Sequence, residues 1–381
     1  EPHSEIWTMD LDPNLPTVDA LGPARTAEQH LRDLLAACTR SIETDPLNAL
    51  AYSRRAAYYD RLHERAQADA DMKRWSAVMS GKSPLDLPSA ELGIAFGQPT
   101  PLDSVMPFLK DAYIESFSAD GREMFLCSWR SGGRGDADIW VLKRSSGNSD
   151  WGSPQNLAET VNSASTDAAS CISADGLELY FNSDRPGGLG HFDLYVARRA
   201  TGDGLWDQAE NLGSQVNTPD IEAFPCISRD GRELYFMSMR ASGYGAYDLY
   251  VSTRATTDAL WGRPVNLGPV VNSPYWETGP CLSADGLRLF FQDYLTPRPG
   301  GYGRGDIWMT QRASRFESWG PPVNLGPRIN GASFEHRPCL APDGSALYFA
   351  RESDGTITHW KASIIPAGGS DLNGKAKGKK D

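Results

Sequence analysis

The stretch Ser173-Ala174-Asp175-Gly176-Leu177-Glu178-Leu179-Tyr180-Phe181 decides the fold, because its pattern recurs along the chain. An Asp-Gly pair between two apolar runs predicts a tight β-hairpin. The pair occurs five times, at spacings of 55, 55, 55 and 58 residues. The copies begin at Asp120, Asp175, Asp230, Asp285 and Asp343. Self-similarity at this period predicts a repeat architecture in which each unit is one supersecondary element.

Two further motifs repeat in step with the Asp-Gly pair. One is an Asp followed by an apolar-aromatic run, as in Asp193-Leu194-Tyr195-Val196, which the fifth unit reduces to Thr358-His359-Trp360-Lys361. The other is an aromatic-Gly-x-Pro-x-x-Leu segment, as in Trp261–Leu267, with an extra copy at Phe96–Leu102. Each unit therefore holds four strand-like runs, which is the sequence signature of a propeller blade.

These repeats predict a mainly β fold: a five-bladed β-propeller of four-stranded antiparallel blades over residues 94–364. The Phe96–Leu102 copy precedes the first complete unit, so we expect it to supply the outer strand of the last blade. Such closure pairs the first and last strands of the ring and removes exposed edges. A six-bladed ring with one eroded blade remains the alternative.

Helical periodicity replaces strand alternation before the propeller. Residues 1–25 contain four prolines and are predicted to be an irregular lead-in, and residues 26–82 a small helical segment. Positions such as Ala51-Tyr52 and Tyr58-Tyr59 make that segment resemble the tetratricopeptide repeat, of which about one and a half copies are present. Because a solenoid needs about three repeats, we expect these helices to pack on the propeller or to belong to a truncated array, with groove binding as the alternative.

Composition excludes several functions. The net charge of −12 argues against a duplex nucleic-acid binder. The only basic cluster, Lys375 to Lys380, falls in residues 365–381, which are predicted to be a disordered tail. The six cysteines form no Cys-x-x-Cys pair, so we expect neither a metal site nor a cofactor, and four of them share one repeat position that indicates packing. No apolar run is long enough for a transmembrane segment.

Acidic residues recur six positions before each turn serine or its equivalent. They are Asp167, Glu222, Glu277 and Glu335, while the first blade has Ala112 there. We expect them to begin the innermost strands and to form a partial ring of carboxylates at the channel mouth. This mouth lies on the face that carries the Gly-rich loops and crossovers.

Other candidate ligand-binding residues accompany this ring. Trp276, His336 and Arg337 lie beside the acids, and Arg185 and Arg240 come from the Gly-rich loops. Two interpretations stay open. The acids and arginines form inter-blade ion pairs, or they bind a cation, a sugar or a basic peptide. Trp276 suits sugar stacking or an interface anchor.

The turns resemble the WD40-like repeat of TolB-type propellers. The residues that carry this likeness include Ser118-Ala119-Asp120-Gly121, Ser283-Ala284-Asp285-Gly286 and Ala341-Pro342-Asp343-Gly344. The resemblance implies a periplasmic or secreted location in the bacterial cell envelope. It also implies a non-catalytic binding or scaffold module that recognises a protein or a glycan through one propeller face.

A glycan-active enzyme is the alternative function, because five-bladed propellers also serve as glycosidases. Glu222, Glu277 and Glu335 would then be the catalytic candidates. Two carboxylates about 5–9.5 Å apart suffice for glycoside hydrolysis, but catalysis needs unlike environments for them, and a near-symmetric ring favours equivalent ones. A lectin with several similar pockets is the third option.

Overall fold

The computed structural model describes residues 93–366, except 148, 295–297, 299 and 354, together with isolated positions between Arg32 and Asp71. The chain divides into two compact units, Glu1–Ser83 and Pro84–Asp381. In the first unit the described positions are helical apart from Glu64, and the Arg55 guanidinium pairs with both oxygens of Asp71 at 2.7 Å. The tetratricopeptide-like pattern rests mostly on residues outside the described ones, so it stays a prediction, as do the lead-in and the residues after Pro366.

The second unit is a five-bladed β-propeller. It opens with two short strands, β1 (Ile94–Phe96) and β2 (Thr100–Pro101). Blade 1 consists of β3 (Ala112–Phe117), β4 (Glu123–Ser128), β5 (Asp138–Lys143) and β6 (Gln155–Asn156). Blade 2 consists of β7 (Asp167–Ile172), β8 (Glu178–Ser183), β9 (Asp193–Arg198) and β10 (Glu210–Asn211). Blade 3 consists of β11 (Glu222–Ile227), β12 (Glu233–Ser238), β13 (Asp248–Thr253) and β14 (Val265–Asn266).

The last two blades complete the ring. Blade 4 consists of β15 (Glu277–Leu282), β16 (Arg288–Asp293), β17 (Ile307–Gln311) and β18 (Val323–Asn324). Blade 5 consists of β19 (Phe334–Leu340), β20 (Ala346–Ser353) and β21 (Thr356–Pro366), to which both β1 and β2 add. Neighbouring strands within every blade are antiparallel, for example Phe236↔Tyr250 in blade 3. The five-bladed prediction is therefore confirmed over the six-bladed alternative.

Closure of the ring joins the start of the propeller to its end. Phe96 lies opposite Ile364, and Thr100 lies opposite Lys361, both in antiparallel register. Phe96 is buried in a cluster with Phe290 and Phe349. Strand β21 runs through Ile365 and Pro366, two residues into the segment that was predicted to be the tail.

The repeated turn motif is held by its own side chains. The Ser228 hydroxyl donates to Asp230 Oδ1 at 2.7 Å and accepts the Glu233 N–H at 2.9 Å. Gly231 follows with φ +69°, a left-handed conformation that glycine adopts without strain. The motif Ser-x-Asp-Gly therefore specifies both ends of the hairpin.

The other motif residues fasten each Gly-rich loop. The Asp193 carboxylate is buried and accepts N–H groups from Leu189 and Gly190 of that loop. Asn211 of the outer strand donates to the same carboxylate at 2.8 Å. A Cβ at Gly190 would lie 2.0 Å from the Asp220 carbonyl oxygen of the next crossover. Glycine is thus required where adjacent blades approach closely.

Ion pairs join successive blades near the hairpin turns. The pairs are Arg199–Glu123, Arg254–Glu178 and Arg312–Glu233, with contacts of 2.6, 2.7 and 3.0 Å. Each arginine also stacks on a tryptophan of its own blade: Arg199 on Trp206, Arg254 on Trp261 and Arg312 on Trp319, at 4.3–4.4 Å from the ring centroid. The repeated spacing between motif and strand therefore supports packing between blades as well as within them.

Candidate functional site: the central channel

The acids predicted to ring the channel are enclosed within their own blades. Asp167, Glu222, Glu277 and Glu335 have no exposed surface. Glu222 shows the common arrangement. It accepts hydrogen bonds from Arg240 at 3.1 Å, from Ser238 at 2.7 Å, and from the N–H and hydroxyl of Thr218. The structure therefore contains no open carboxylate ring at this end of the channel among the residues it describes.

Each of these acids pairs with an arginine of the same blade, so the expected inter-blade pairing is wrong for this set. The partners of Asp167, Glu277 and Glu335 are Arg185, Arg298 and Arg351. The reason is geometric: the second strand of each blade ends beside the start of the innermost strand, and the arginine lies at or shortly after that end. Arg185 and Arg240 also donate to the carbonyl oxygens of Val161 and Val216, which anchors the crossover.

The electrostatics of the three catalytic candidates follow from this enclosure. Burial raises the pKa of Glu222 and of Glu335, and their arginines offset part of that rise. Burial raises the pKa of Glu277 to about 8. None of the three faces a cavity that could hold a sugar, because each oxygen is directed at loop amides, hydroxyls or the paired arginine.

The aromatic candidate is also a core residue. Trp276 has no exposed surface and stacks on Tyr294 at 5.6 Å, with Tyr247 edge-on at 5.1 Å. It cannot stack on a sugar in this position. His336 is buried against Phe334 with ring centroids 4.5 Å apart, and burial lowers its pKa to about 3. Its imidazole is therefore neutral at physiological pH.

Instead, irregularities in the innermost strands bring unlike side chains to the axis. A β-bulge interrupts every innermost strand. Residues Ala169, Phe224, Gly279 and Arg337 occupy the left-handed conformation there. The blades thus offer different groups at one level, and the repeat symmetry is broken at the axis.

An ion pair crosses the channel at this level. Arg337 of blade 5 donates to Glu115 of blade 1 at 2.7 Å, and its guanidinium lies 4.5 Å from the Phe224 ring centroid and 4.7 Å from that of Tyr113. Burial raises the pKa of Glu115, against the opposing effect of Arg337. A void of only about 30 Å³ remains around these groups. The pair therefore plugs the middle of the channel.

On the side of the Asp-Gly turns the channel widens into a cavity of about 480 Å³. Glu115 and the prolines Pro225, Pro280 and Pro338 form its floor. Its wall has a level of thiols and a level of apolar side chains. The thiols are Cys171, Cys226, Cys281 and Cys339. The apolar side chains are Phe117, Ile172, Ile227, Leu282 and Leu340.

This cavity opens on the opposite face from the one that the sequence favoured. We call this face the turn face: it is made of the four Ser-x-Asp-Gly turns, the fifth turn Ala341-Pro342-Asp343-Gly344, and the hairpins between third and fourth strands. The crossover face is the other. Ala119, Ala174, Arg229, Ala284 and Pro342, the second residues of the turns, form the rim. Loop length did not indicate the site because the arginines of the crossover-face loops enclose the acids, as Arg240 does for Glu222.

The four cysteines of the cavity wall share one repeat position, which the sequence analysis interpreted only as a packing position. Each lies in the innermost strand, two residues before the turn serine or, for Cys339, before Ala341. The sulfurs of Cys171 and Cys226 accept N–H groups of the next blade, from Ile227 at 3.5 Å and from Leu282 at 3.2 Å, and the Ser116 hydroxyl takes this role in blade 1. A repeated small polarizable residue at that position therefore marks the channel wall.

Among the described residues, no group of three or more His, Cys, Asp or Glu side chains is arranged to hold a metal ion. Within the part of the chain that the structure describes, no helix combines the length and apolar character needed to cross a bilayer.

Comparison with protein-family models and with curated protein sequences gave no match. Among solved structures, the chain is similar to TolB from Acinetobacter baumannii, with 15% identity, a TM-score of 0.41, and coverage of 66% of this chain and 54% of TolB. It is also similar to an alpha-L-arabinofuranosidase from Lactobacillus brevis, with 13% identity, a TM-score of 0.43, and coverage of 69% and 91%. The chain thus spans about half the length of that TolB. Scores this low assign it to neither protein, and the fold rests on its own five sheets.

Proposed function

We propose that this protein is a non-catalytic binding module that takes an apolar segment of a partner protein into the cavity of the turn face. The cavity is the observation that carries the proposal. Its volume of about 480 Å³ is within the range of about 300–1,000 Å³ for small-molecule sites. A side chain or a short extended segment has this size. Three of the five rim residues are alanines (Ala119, Ala174 and Ala284), which leaves room for the rest of the chain to cross the face.

The wall chemistry favours a protein segment over a glycan. A sugar site needs a dense set of hydrogen-bonding groups, whereas apolar and thiol side chains form most of the inner wall, and the charged side chains of Arg229, Asp285, Arg288 and Asp343 lie at or beside the turns. The polar groups of the floor are occupied by one another, since Glu115 is paired with Arg337. The enclosed Glu222, Glu277 and Glu335 weaken the glycosidase and lectin alternatives for the same reason. We keep the proposal of a periplasmic or secreted location in the bacterial envelope, which the TolB-type turn pattern supports.

A rim-blocking variant tests this function. Ala284 is exposed and lines the rim, so Ala284→Trp places an indole across the mouth. Phage-displayed peptides would be selected on the unmodified protein, and the affinity of the selected peptides measured by fluorescence anisotropy. We expect apolar peptides whose binding weakens at least about tenfold in Ala284→Trp but is retained in the control Ala332→Trp, on the crossover face. Peptides that bind both variants equally, or a glycan-array hit that Ala284→Trp abolishes, would overturn the proposal.

A further inference from the structure

We infer that the partner segment is both apolar and basic, and that it spreads from the central cavity across the turn face to the outer hairpins of blades 2 to 4. This inference rests on the proposed function and specifies its partner. The evidence comes from exposed apolar side chains and from the charges placed beside them.

Each of three hairpins on the turn face has one apolar side chain that is almost fully exposed to solvent. Leu205, Leu260 and Phe316 are each at least 92% exposed. They lie in the hairpins between the third and fourth strands of successive blades, and Phe316 is displaced by two positions within its hairpin relative to the other two. Single exposed apolar residues are ordinary. Here three adjacent blades each place one such side chain on the same face. Together these side chains add apolar contact area around one cavity, which indicates a docking surface.

An acid accompanies each projecting side chain. Asp203 and Asp258 precede Leu205 and Leu260 by two residues, and Glu317 follows Phe316 directly. All three acids are exposed. The same pairing of an apolar group with a carboxylate therefore occurs on three blades. Lys143 of the preceding blade lies 3.9 Å from the Asp203 carboxylate. A partner that covers the apolar groups must bring cations to the carboxylates of Asp258 and Glu317, since an unpaired charge at an interface is costly.

Carboxylates also recur in the five turns around the cavity, where Asp285 and Asp343 line it together with Arg229 and Arg288. Asp120, Asp175, Asp230, Asp285 and Asp343 are exposed in the five turns. Hydrogen bonds lower the pKa of Asp120 and of Asp343, and the Arg315 guanidinium holds the pKa of Asp230 at about 2. Arg315 thereby neutralises one member of the ring, Arg122 and Arg288 lie 3.8 Å from the carboxylates of Asp120 and Asp285, and Asp175 and Asp343 keep exposed carboxylates. A ring of carboxylates does surround the channel, made by the turns and not by the crossovers.

This charge pattern selects among occupants. An anionic lipid surface would accept the apolar tips but would be repelled by the acids beside them. The chain's own residues 367–381 supply lysines but only Leu372 as a large apolar group, too little to fill the cavity and cover three tips. A partner segment that alternates Leu-like and Lys-like residues satisfies both requirements.

The test uses three synthetic peptides of equal length: Leu/Lys, Leu/Glu and neutral Leu/Ser. Affinities for the full chain would be measured by fluorescence anisotropy at about 50 mM and 500 mM salt. We expect Leu/Lys to bind at least about tenfold more tightly than Leu/Glu at low salt, with the preference falling at high salt. The variant Asp203→Asn/Asp258→Asn/Glu317→Gln should lose most of this preference. The control Asp111→Asn/Asp136→Asn/Glu159→Gln changes the net charge equally on the crossover face and should keep it.

A second pair of variants examines the apolar contacts. Leu205→Ser/Leu260→Ser/Phe316→Ser should weaken Leu/Lys binding at least about tenfold, and the crossover-face control Val105→Ser/Leu189→Ser should not. Equal binding of all three peptides that Ala284→Trp abolishes would overturn this inference while leaving the proposed function standing. No binding of any peptide would overturn both. A tenfold gain in Leu/Lys affinity on removal of residues 367–381 would identify that segment as the occupant and also overturn the inference.

Discussion

Replacing Asp293 by Ser is the change whose effect the structure defines best. Asp293 ends the second strand of blade 4, where blades 1 to 3 have a buried serine. It has no exposed surface and lies opposite Glu277 in register. It accepts N–H groups from Arg298 at 2.7 Å and from Asp306, whose own carboxylate is buried as well. Blade 4 therefore holds three enclosed acids, with Arg298 beside them.

The magnitude follows from the pKa of Asp293. Burial raises this pKa from 3.8 to about 7, and the neighbouring Asp306 acts in the same direction. The folded protein therefore binds more protons than the unfolded chain between pH 4 and pH 7. Protonation of Asp293 therefore stabilises the folded state. This stabilisation is present in full below pH 4 and is lost as the pH rises through 7. The difference between the two pKa values corresponds to about 4 kcal/mol.

Urea unfolding at 25 °C between pH 5 and pH 8.5 measures this effect. As the pH rises from 5 to 8, we expect the free energy of unfolding to gain about 2–3 kcal/mol in Asp293→Ser relative to the unmodified protein. Asp293 also accepts the Trp308 indole N–H at 3.1 Å. The loss of this hydrogen bond and of those from the loop amides lowers both ends of the profile equally. Asp258→Ser, at an exposed acid, serves as the control and should run parallel to the unmodified protein. A parallel profile for Asp293→Ser would refute the reasoning.

Three further predictions concern stability and are checked by urea unfolding. Arg337→Met leaves Glu115 buried without its partner and should lower the free energy of unfolding by about 3–5 kcal/mol. Arg337→Met combined with Glu115→Met should recover most of that loss. If the double variant does not recover, the broken ion pair is not the cause. Trp276→Ala should cost about 3–5 kcal/mol because the indole is core, and an unchanged midpoint would restore Trp276 as a surface candidate. Phe96→Ala should lower the stability of the whole propeller in one transition by a similar amount, and a separate early transition would contradict closure through β1.

The blade architecture could be predicted because its determinants are local and repeated. The turn residues form hydrogen bonds with one another and with the next strand within five residues, so each copy of the motif forms its turn independently of the others. Ring closure was also accessible, since the Phe96–Leu102 copy lacked a blade of its own. The repeat spacing therefore predicts nearly the whole fold of residues 94–364.

The site could not be predicted in the same way because it depends on what differs between blades. The contact between Glu115 and Arg337 joins residues 222 positions apart, and nothing in either motif indicates it. The bulges that aim these side chains at the axis have no common residue type, since Ala169, Phe224 and Gly279 share one conformation. The recurring acids were noticed because they repeat, and repetition is what a structural role produces.

Protection of the cavity thiols tests the central claim most directly. Cys171 and Cys281 are partly exposed in the cavity wall, so their rate of modification by a small thiol reagent, followed by mass spectrometry at each site, reports occupancy of the cavity. The account predicts that a saturating peptide selected on the protein slows modification of both thiols at least about tenfold. Unchanged rates at both sites, with the peptide bound, would contradict it.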